Sequence, residues 1–150
     1  MRTAIFPGSF DPFTKGHHDI VVRSLQLFDK LIIAIGHNSQ KNSRYFELEV
    51  TVEKINSLYK NEDRVQTLVY DELTAELARK HDAEFLVRGL RNTTDFEYEN
   101  SISQMNKSIN PELETVFLIT SPDLAQISST IIREVHKYGG DVAPFLPYQL

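Results

Sequence analysis

The chain has 150 residues, of which 41% are hydrophobic and 25% charged, with a formal net charge of −5 from 21 acidic and 16 basic side chains. Its length points to one domain over residues 1–150, and the acid surplus argues against a general nucleic-acid or anionic-membrane binder, which needs an excess of Lys and Arg. Cysteine is absent, which excludes disulfide scaffolds, Cys-based zinc sites and thiol nucleophiles; no apolar run reads as a signal peptide or a membrane span, so a cytoplasmic protein is expected.

Thr3 to Phe6 is the first β-branched, nearly continuous apolar run. Runs of this kind suit strands buried on both faces of a parallel sheet. A helix follows, beginning near His17, with Ile20, Val21, Ser24, Leu25, Leu27 and Phe28 at helical spacing. Leu31 to Ile35 gives a second strand, and the polar stretch Gly36 to Arg44 is too poor in apolar residues for a helix face. Leu48, Val52, Ile55 and Tyr59 mark a second helix, and Val65 to Tyr70 a fainter strand. Leu73, Leu77 and Ala78 indicate a short helix before the strand Phe85 to Val87. A long helix then carries Phe96, Ile102, Met105 and Ile109 on one stripe. Val116 to Ile119 is the last strand; Ile131, Ile132, Val135 and Tyr138 give a final helix, closed by Gly139-Gly140. Pro144 and Pro147 keep the tail from being regular helix throughout. Five strand–helix units in succession predict an α/β protein, a Rossmann-like, doubly wound, five-stranded parallel sheet with right-handed crossovers. In such sheets the ligand lies at the carboxyl ends of the strands, near the point where strand order reverses.

The first strand runs into Pro7-Gly8-Ser9-Phe10-Asp11-Pro12-Phe13-Thr14-Lys15-Gly16-His17. Neither the G-x-G-x-x-G turn nor a P-loop is present. Two prolines and two glycines build a bent loop into a helix N-terminus, which presents free N–H groups and a positive dipole end to a phosphate. That dipole disfavours an imidazolium, so His17 is expected as a neutral ring donating one N–H. An isolated histidine at this place is more often a solvated helix-start residue; the glycine-rich context favours a site. Thr14-Lys15-Gly16-His17 resembles the T/H-x-G-H motif of the nucleotidyltransferase superfamily, and PGSFDPFTKGHHDI is similar to the corresponding signature of the bacterial phosphopantetheine adenylyltransferases. The fold implied is the nucleotidyltransferase (adenine nucleotide alpha hydrolase-like) type.

Arg88-Gly89-Leu90-Arg91 follows the fourth strand, with Asp95-Phe96-Glu97-Tyr98-Glu99 beyond it. An arginine ending a buried strand needs a counter-charge: an ion pair with a structural carboxylate is one reading, a phosphate clamp the other. RGLRNTTDFEYE resembles the second signature of the same family. After the fifth strand, Ile127-Ser128-Ser129-Thr130-x-x-Arg133 offers three hydroxyls where an N-cap needs one, and it is similar to that family's phosphate-holding I-S-S motif. Arg133 is either the basic member of that motif or a solvated helix charge. Lys41, in the polar stretch, aligns with the family's lysine for the reacting phosphates; the stretch is about one residue longer than the pattern, and Arg44 is the fallback.

The resemblance covers Ala4 to about Pro147. It implies an enzyme transferring the adenylyl group of ATP to 4′-phosphopantetheine, giving dephospho-coenzyme A and pyrophosphate in coenzyme A synthesis. It further implies Mg²⁺ on the ATP phosphates with no protein metal site, a homohexamer, and coenzyme A as a candidate feedback ligand. His17 and Lys41 are implied as the catalytic donors to the α-phosphate. Ser9 is to hold the incoming phosphate with Phe10 at the nucleotide, and Arg88 the phosphopantetheine phosphate. ATP is implied to contact Gly89, Leu90, Arg91, Glu99, Leu124, Ile127, Ser128, Ser129 and Thr130. Thr74 beside Leu73, with Tyr98, Met105 and Asn106, falls along the pantetheine arm, although core packing suits Met105 equally. Ser9 stands where Thr is more usual, and Leu124 where many members carry an aromatic residue. Another nucleotidyltransferase, acting on a different phosphorylated acceptor, and a non-catalytic nucleotide sensor are the alternatives. RGLR followed by DFEYE argues against the first, and intact His17 and Ser128-Ser129 against the second.

Overall fold

A computed structural model describes residues 1–38, 40 and 43–150. Its five strands are β1 (Thr3–Gly8), β2 (Lys30–Gly36), β3 (Val65–Tyr70), β4 (Phe85–Leu90) and β5 (Glu114–Ile119). The helices are α1 (Lys15–Ser24), α2 (Leu48–Leu58), α3 (Thr74–Lys80), α4 (Thr93–Ile109) and α5 (Ser129–Lys137), with short 3-10 turns at Pro122–Leu124 and Ala143–Phe145. All strand pairs are parallel and the order across the sheet is β3-β2-β1-β4-β5. The chain steps outward from β1 to β3, returns to the other side of β1, and steps outward again. The order therefore reverses between β1 and β4.

Period-two alternation sends the strand side chains into two cores. Ala4, Phe6, Ile33, Ile35 and Val87 join Phe13, Val21 and Ile55 on the α1/α2 side. Ile5, Ile32, Ala34 and Leu86 join Ala75, Leu77 and Ala78 on the α3 side. The outer strands depart from the expectation of burial on both faces. Val69 of β3 and Ile119 of β5 are exposed, Ile119 by 76%, because an edge strand has a neighbour on one side only.

Two helices also differ from the sequence pattern. α1 begins at Lys15, two residues before His17, and ends at Ser24, whose hydroxyl donates to the Ile20 carbonyl at 2.6 Å. The chain then turns, so Phe28 reaches the core from outside the helix while Leu27 stays exposed. In α4 only part of the apolar stripe is covered: Ile109 packs on the α3-side core, whereas Phe96, Ile102 and Met105 are 46%, 38% and 63% exposed, and the fully buried residue is Glu99. Glu99 on its inner face is paired with Arg88 of β4. α5 closes as expected, with Gly139 at φ +82°, a conformation open to glycine at little steric cost.

Pairing between β1 and β4 is confined to Ala4 with Phe85 and Ile5 with Leu86. Pro7 has no N–H with which to continue the ladder. Its carbonyl accepts instead from the Arg88 guanidinium. The carboxyl ends of the two central strands thus part at the reversal point, and the crevice between them is the candidate site.

Candidate active site

The N-terminus of α1 fixes His17. Thr14 is the N-cap: its hydroxyl accepts the His17 N–H at 3.2 Å, and His17 Nδ1 accepts the Thr14 N–H at 2.9 Å. This is a capping box with His in the position usually held by Glu or Gln. Since Nδ1 is an acceptor, the ring proton sits on Nε2. Phe10 meets the ring edge-on at 4.9 Å, with Phe13 at 5.4 Å and Phe6 at 6.0 Å. Burial among these groups, reinforced by the Arg88 and Arg91 charges, pushes the His17 pKa down to about 3. The neutral ring expected from the helix dipole is present, and desolvation is its main cause.

Linkage gives this shift a measurable sign. A histidine whose folded pKa lies below its unfolded value stabilises fully above about pH 6.5, and the benefit is lost as pH falls toward the folded value. The wild-type Tm is therefore expected to fall between pH 6.5 and 4, with a shallower fall in H17N. Thermal scans across that range check this, and equal slopes would refute it.

One cavity of ≈ 290 Å³ opens at the β1/β4 split. Its wall includes Ser9, Phe10, His17, Arg88, Gly89, Arg91, Glu99, Leu124, Ile127 and the three hydroxyl residues Ser128, Ser129 and Thr130. A second cavity of ≈ 270 Å³ adjoins it, lined by Thr74, Tyr98 and Asn106 among others. Gly8, Ser9, Arg88 and Glu99 border both, so they form the partition. The crevice thus gathers most of the expected site residues from four separate stretches of chain. Leu90 does not reach either wall, although Gly89 and Arg91 on each side of it line the first cavity. Met105 is exposed and lines neither cavity, and Leu73 lines a depression next to Thr74. Lys41 lies outside the described residues.

Of the two readings of Arg88, the ion pair with a structural carboxylate is present. Its Nε donates to Glu99 Oε2 at 2.8 Å and its Nη2 to Glu99 Oε1 at 2.7 Å. Glu99 is 7% exposed, and two charge-assisted bonds of this kind offset its desolvation. Three of the five guanidinium N–H groups serve Glu99 and the Pro7 carbonyl, leaving one on each terminal nitrogen for a ligand. Glu99 borders both cavities, and both of its oxygens are engaged by Arg88. Arg91 is held similarly by Asp95, through Nε at 3.0 Å and Nη2 at 3.3 Å, and hydrogen bonding from Arg91 lowers the Asp95 pKa.

The three hydroxyls at α5 each have a structural partner. Ser128 caps the helix by accepting the Ile131 N–H at 3.1 Å, Ser129 donates to the Pro12 carbonyl at 2.9 Å, and Thr130 accepts from Arg133 at 3.2 Å. Arg133 also donates to the Asp11 carbonyl at 2.6 Å and is absent from both cavity walls. Its place is behind the β1–α1 loop. Arg44, the fallback for Lys41, lies there too. It donates to the Ser9 carbonyl, to Phe10 O at 3.0 Å and to Phe46 O at 3.1 Å, so its donors face away from the cavity.

Sequence reasoning placed Thr14 in the motif but missed its capping role, and missed Thr120 on the first cavity wall altogether. Thr14 had a readable signal, a hydroxyl three residues before a side chain able to accept its N–H. Thr120 follows β5 with no motif around it.

Residues 5–135 match the family model described as cytidylyltransferase-like. A phosphopantetheine adenylyltransferase of Cytophaga hutchinsonii is 64% identical over 149 residues, covering 99% of both chains. One from Bacteroides fragilis is 48% identical over 147 residues, covering 98% of this chain and 97% of its own. Among solved structures, a bifunctional NMN adenylyltransferase/ADP ribose pyrophosphatase from Francisella tularensis, complexed with AMP and a manganese ion, superposes with a TM-score of 0.73 at 19% identity. That alignment covers 99% of this chain and 45% of the other, a likeness of fold.

Proposed function

The chain belongs to the phosphopantetheine adenylyltransferases, within the cytidylyltransferase-like family, and from that premise we propose how its residues carry the transfer of adenylyl from ATP to 4′-phosphopantetheine. An oxygen of the 4′-phosphate attacks the α-phosphorus of ATP; the new P–O bond forms as the bond to the β-phosphate oxygen breaks, and pyrophosphate leaves. The nucleophile is already ionised at neutral pH, so no general base is needed. What the protein must supply is in-line alignment and donors where charge accumulates.

His17 Nε2–H is the donor to the α-phosphate in this reading, with Lys41 as its partner. The observation that carries it is His17 Nδ1 accepting the Thr14 N–H at the split between β1 and β4, which leaves Nε2 as the donor of the ring. ATP occupies the cavity at the α5 N-terminus, where Ser128 to Thr130, Gly89 and Arg91 border the phosphates. The pantetheine arm runs through the adjoining cavity past Thr74, Tyr98 and Asn106. Arg88 in the partition holds the 4′-phosphate with the N–H groups that Glu99 leaves free, and Ser9 lies beside it. Glu99 acts through Arg88.

Mg²⁺ is part of the proposal as the counter-ion of ATP. Among the described residues no three of His, Asp and Glu converge on one point, while hydroxyls and arginines surround the cavity, a donor set suited to phosphate oxygens. The ion would ride on those oxygens and on water, lowering the repulsion between phosphates. We further place the protein in the cytoplasm, where ATP is supplied, and assemble it as a homohexamer, for which the exposed apolar residues of α4 and β5 offer contact area. Coenzyme A, sharing the pantetheine arm, is the candidate feedback ligand.

Purified protein with ATP, Mg²⁺ and 4′-phosphopantetheine is expected to yield dephospho-coenzyme A and pyrophosphate by mass detection, and to turn over neither CTP nor nicotinamide mononucleotide comparably. ATP binding without pyrophosphate release would replace this reading with a sensor.

A further inference from the structure

Phe10 has φ +47°, a left-handed conformation that glycine adopts freely and a bulky side chain seldom does. Glycine would not serve here, because the buried Phe10 ring packs on Phe6 and Phe13 and supports His17 edge-on at 4.9 Å. The two carbonyls on either side of the Phe10 dihedrals, those of Ser9 and Phe10, both accept from a single side chain. Arg44 donates from Nη1 to Ser9 O and from Nη2 to Phe10 O. Its side chain is only 11% exposed, its Nε is tied to the Phe46 carbonyl at 3.1 Å, and its Nη2 lies 3.9 Å from Asp11. Asp11 in turn accepts the N–H groups of Tyr45 at 2.9 Å and Phe46 at 2.8 Å. The segment 44–46 and the loop after β1 are therefore cross-tied in both directions.

We propose that Arg44 is a positioning residue for adenylyl transfer: its guanidinium fork holds Phe10 left-handed, which seats the aromatic ring against His17 and keeps Ser9 at the partition. A planar fork is required, because two carbonyls bracketing one residue must be met at once; lysine keeps the charge but offers a single point of donation. Released from the fork, Phe10 would relax toward negative φ and carry its ring off the histidine. The role rests on the function proposed above, while its structural part is readable without substrate.

R44K is expected to keep a Tm close to wild type and to lose kcat by about 10²-fold, the scale for a small misplacement of reacting groups. R44A is expected to lose as much and to regain at least tenfold of it (roughly, for a restored alignment) with millimolar guanidinium, which fits between the orphaned carbonyls. The ¹⁵N signals of the His17 imidazole, recorded without substrate, are expected to show a fixed Nε2-protonated ring in wild type and a titrating, averaged one in R44K. Wild-type kcat in R44K overturns the proposal, and so does a loss in R44A that guanidinium leaves unmoved. If R44A does not fold, R44K decides alone, a kcat loss appearing only with a lowered Tm counting against the proposal. Wild-type protein that transfers no adenylyl group to 4′-phosphopantetheine defeats the function reading instead, and the imidazole spectra then still judge the clamp.

Discussion

His17→Ala is expected to lower kcat by roughly 10²–10³-fold, the scale for removing one preorganised donor from a developing oxyanion, with a much smaller change in KM for ATP. The split follows from the geometry. The Nε2 proton is aimed by the backbone of its own helix cap, Nδ1 being fixed by the Thr14 N–H, so little reorganisation accompanies the reaction. A donor held this way acts where charge builds up and contributes little to ground-state affinity. His17→Asn retains a donor without the imidazole and should fall between wild type and alanine. Steady-state rates with both substrates varied make the measurement, and a full kcat in His17→Ala would remove the residue from the mechanism.

Arg88→Ala is expected to strike both stability and substrate recognition. Glu99 would be left buried and ionised with no partner, a change that costs about 3–5 kcal/mol in comparable buried pairs and should appear as a large drop in Tm. The surviving folded enzyme should show KM for 4′-phosphopantetheine raised roughly 10–100-fold, matching the loss of charge-assisted hydrogen bonds worth about 1.5–3 kcal/mol, and KM for ATP raised less. Equal losses for the two substrates would reject the assignment of Arg88 to the 4′-phosphate. The double variant R88M/E99L separates the two effects. Apolar side chains of similar bulk remove the stranded charge, so Tm should recover while turnover does not.

What the sequence discloses depends on how each feature is stabilised. The centres of all five strands were legible because β1, β2 and β4 bury uninterrupted apolar runs, and β3 and β5 keep enough of the pattern on one side. The motif residues after β1, β4 and β5 were legible as a group, since parallel topology brings strand carboxyl ends to one edge. The orientation of α4 was legible only in part: Ile109 packs on the core, but a count of apolar side chains is blind to Glu99 buried against Arg88. The start of α1, where Thr14 and His17 cap one another and histidine hides the usual signature, was not. Arg44 and Arg133 illustrate a third limit. As residue types they suit a phosphate equally well, and only the carbonyls behind the loop distinguish a scaffold role from a ligand contact.

On the proposed placement of the substrates, the partition shared by the two cavities also bears on how the products leave. Before reaction, each substrate would rely on its own side of Arg88 and Ser9 for its hold, and each would dissociate independently. Once the phosphoanhydride link forms across that boundary, a single molecule would reach into both chambers, and either end, on loosening, would be kept at high effective concentration by the other. Pyrophosphate gains no such tether. The two products should therefore part from the protein in a fixed order, the inorganic one first, and the joined one should dwell longest.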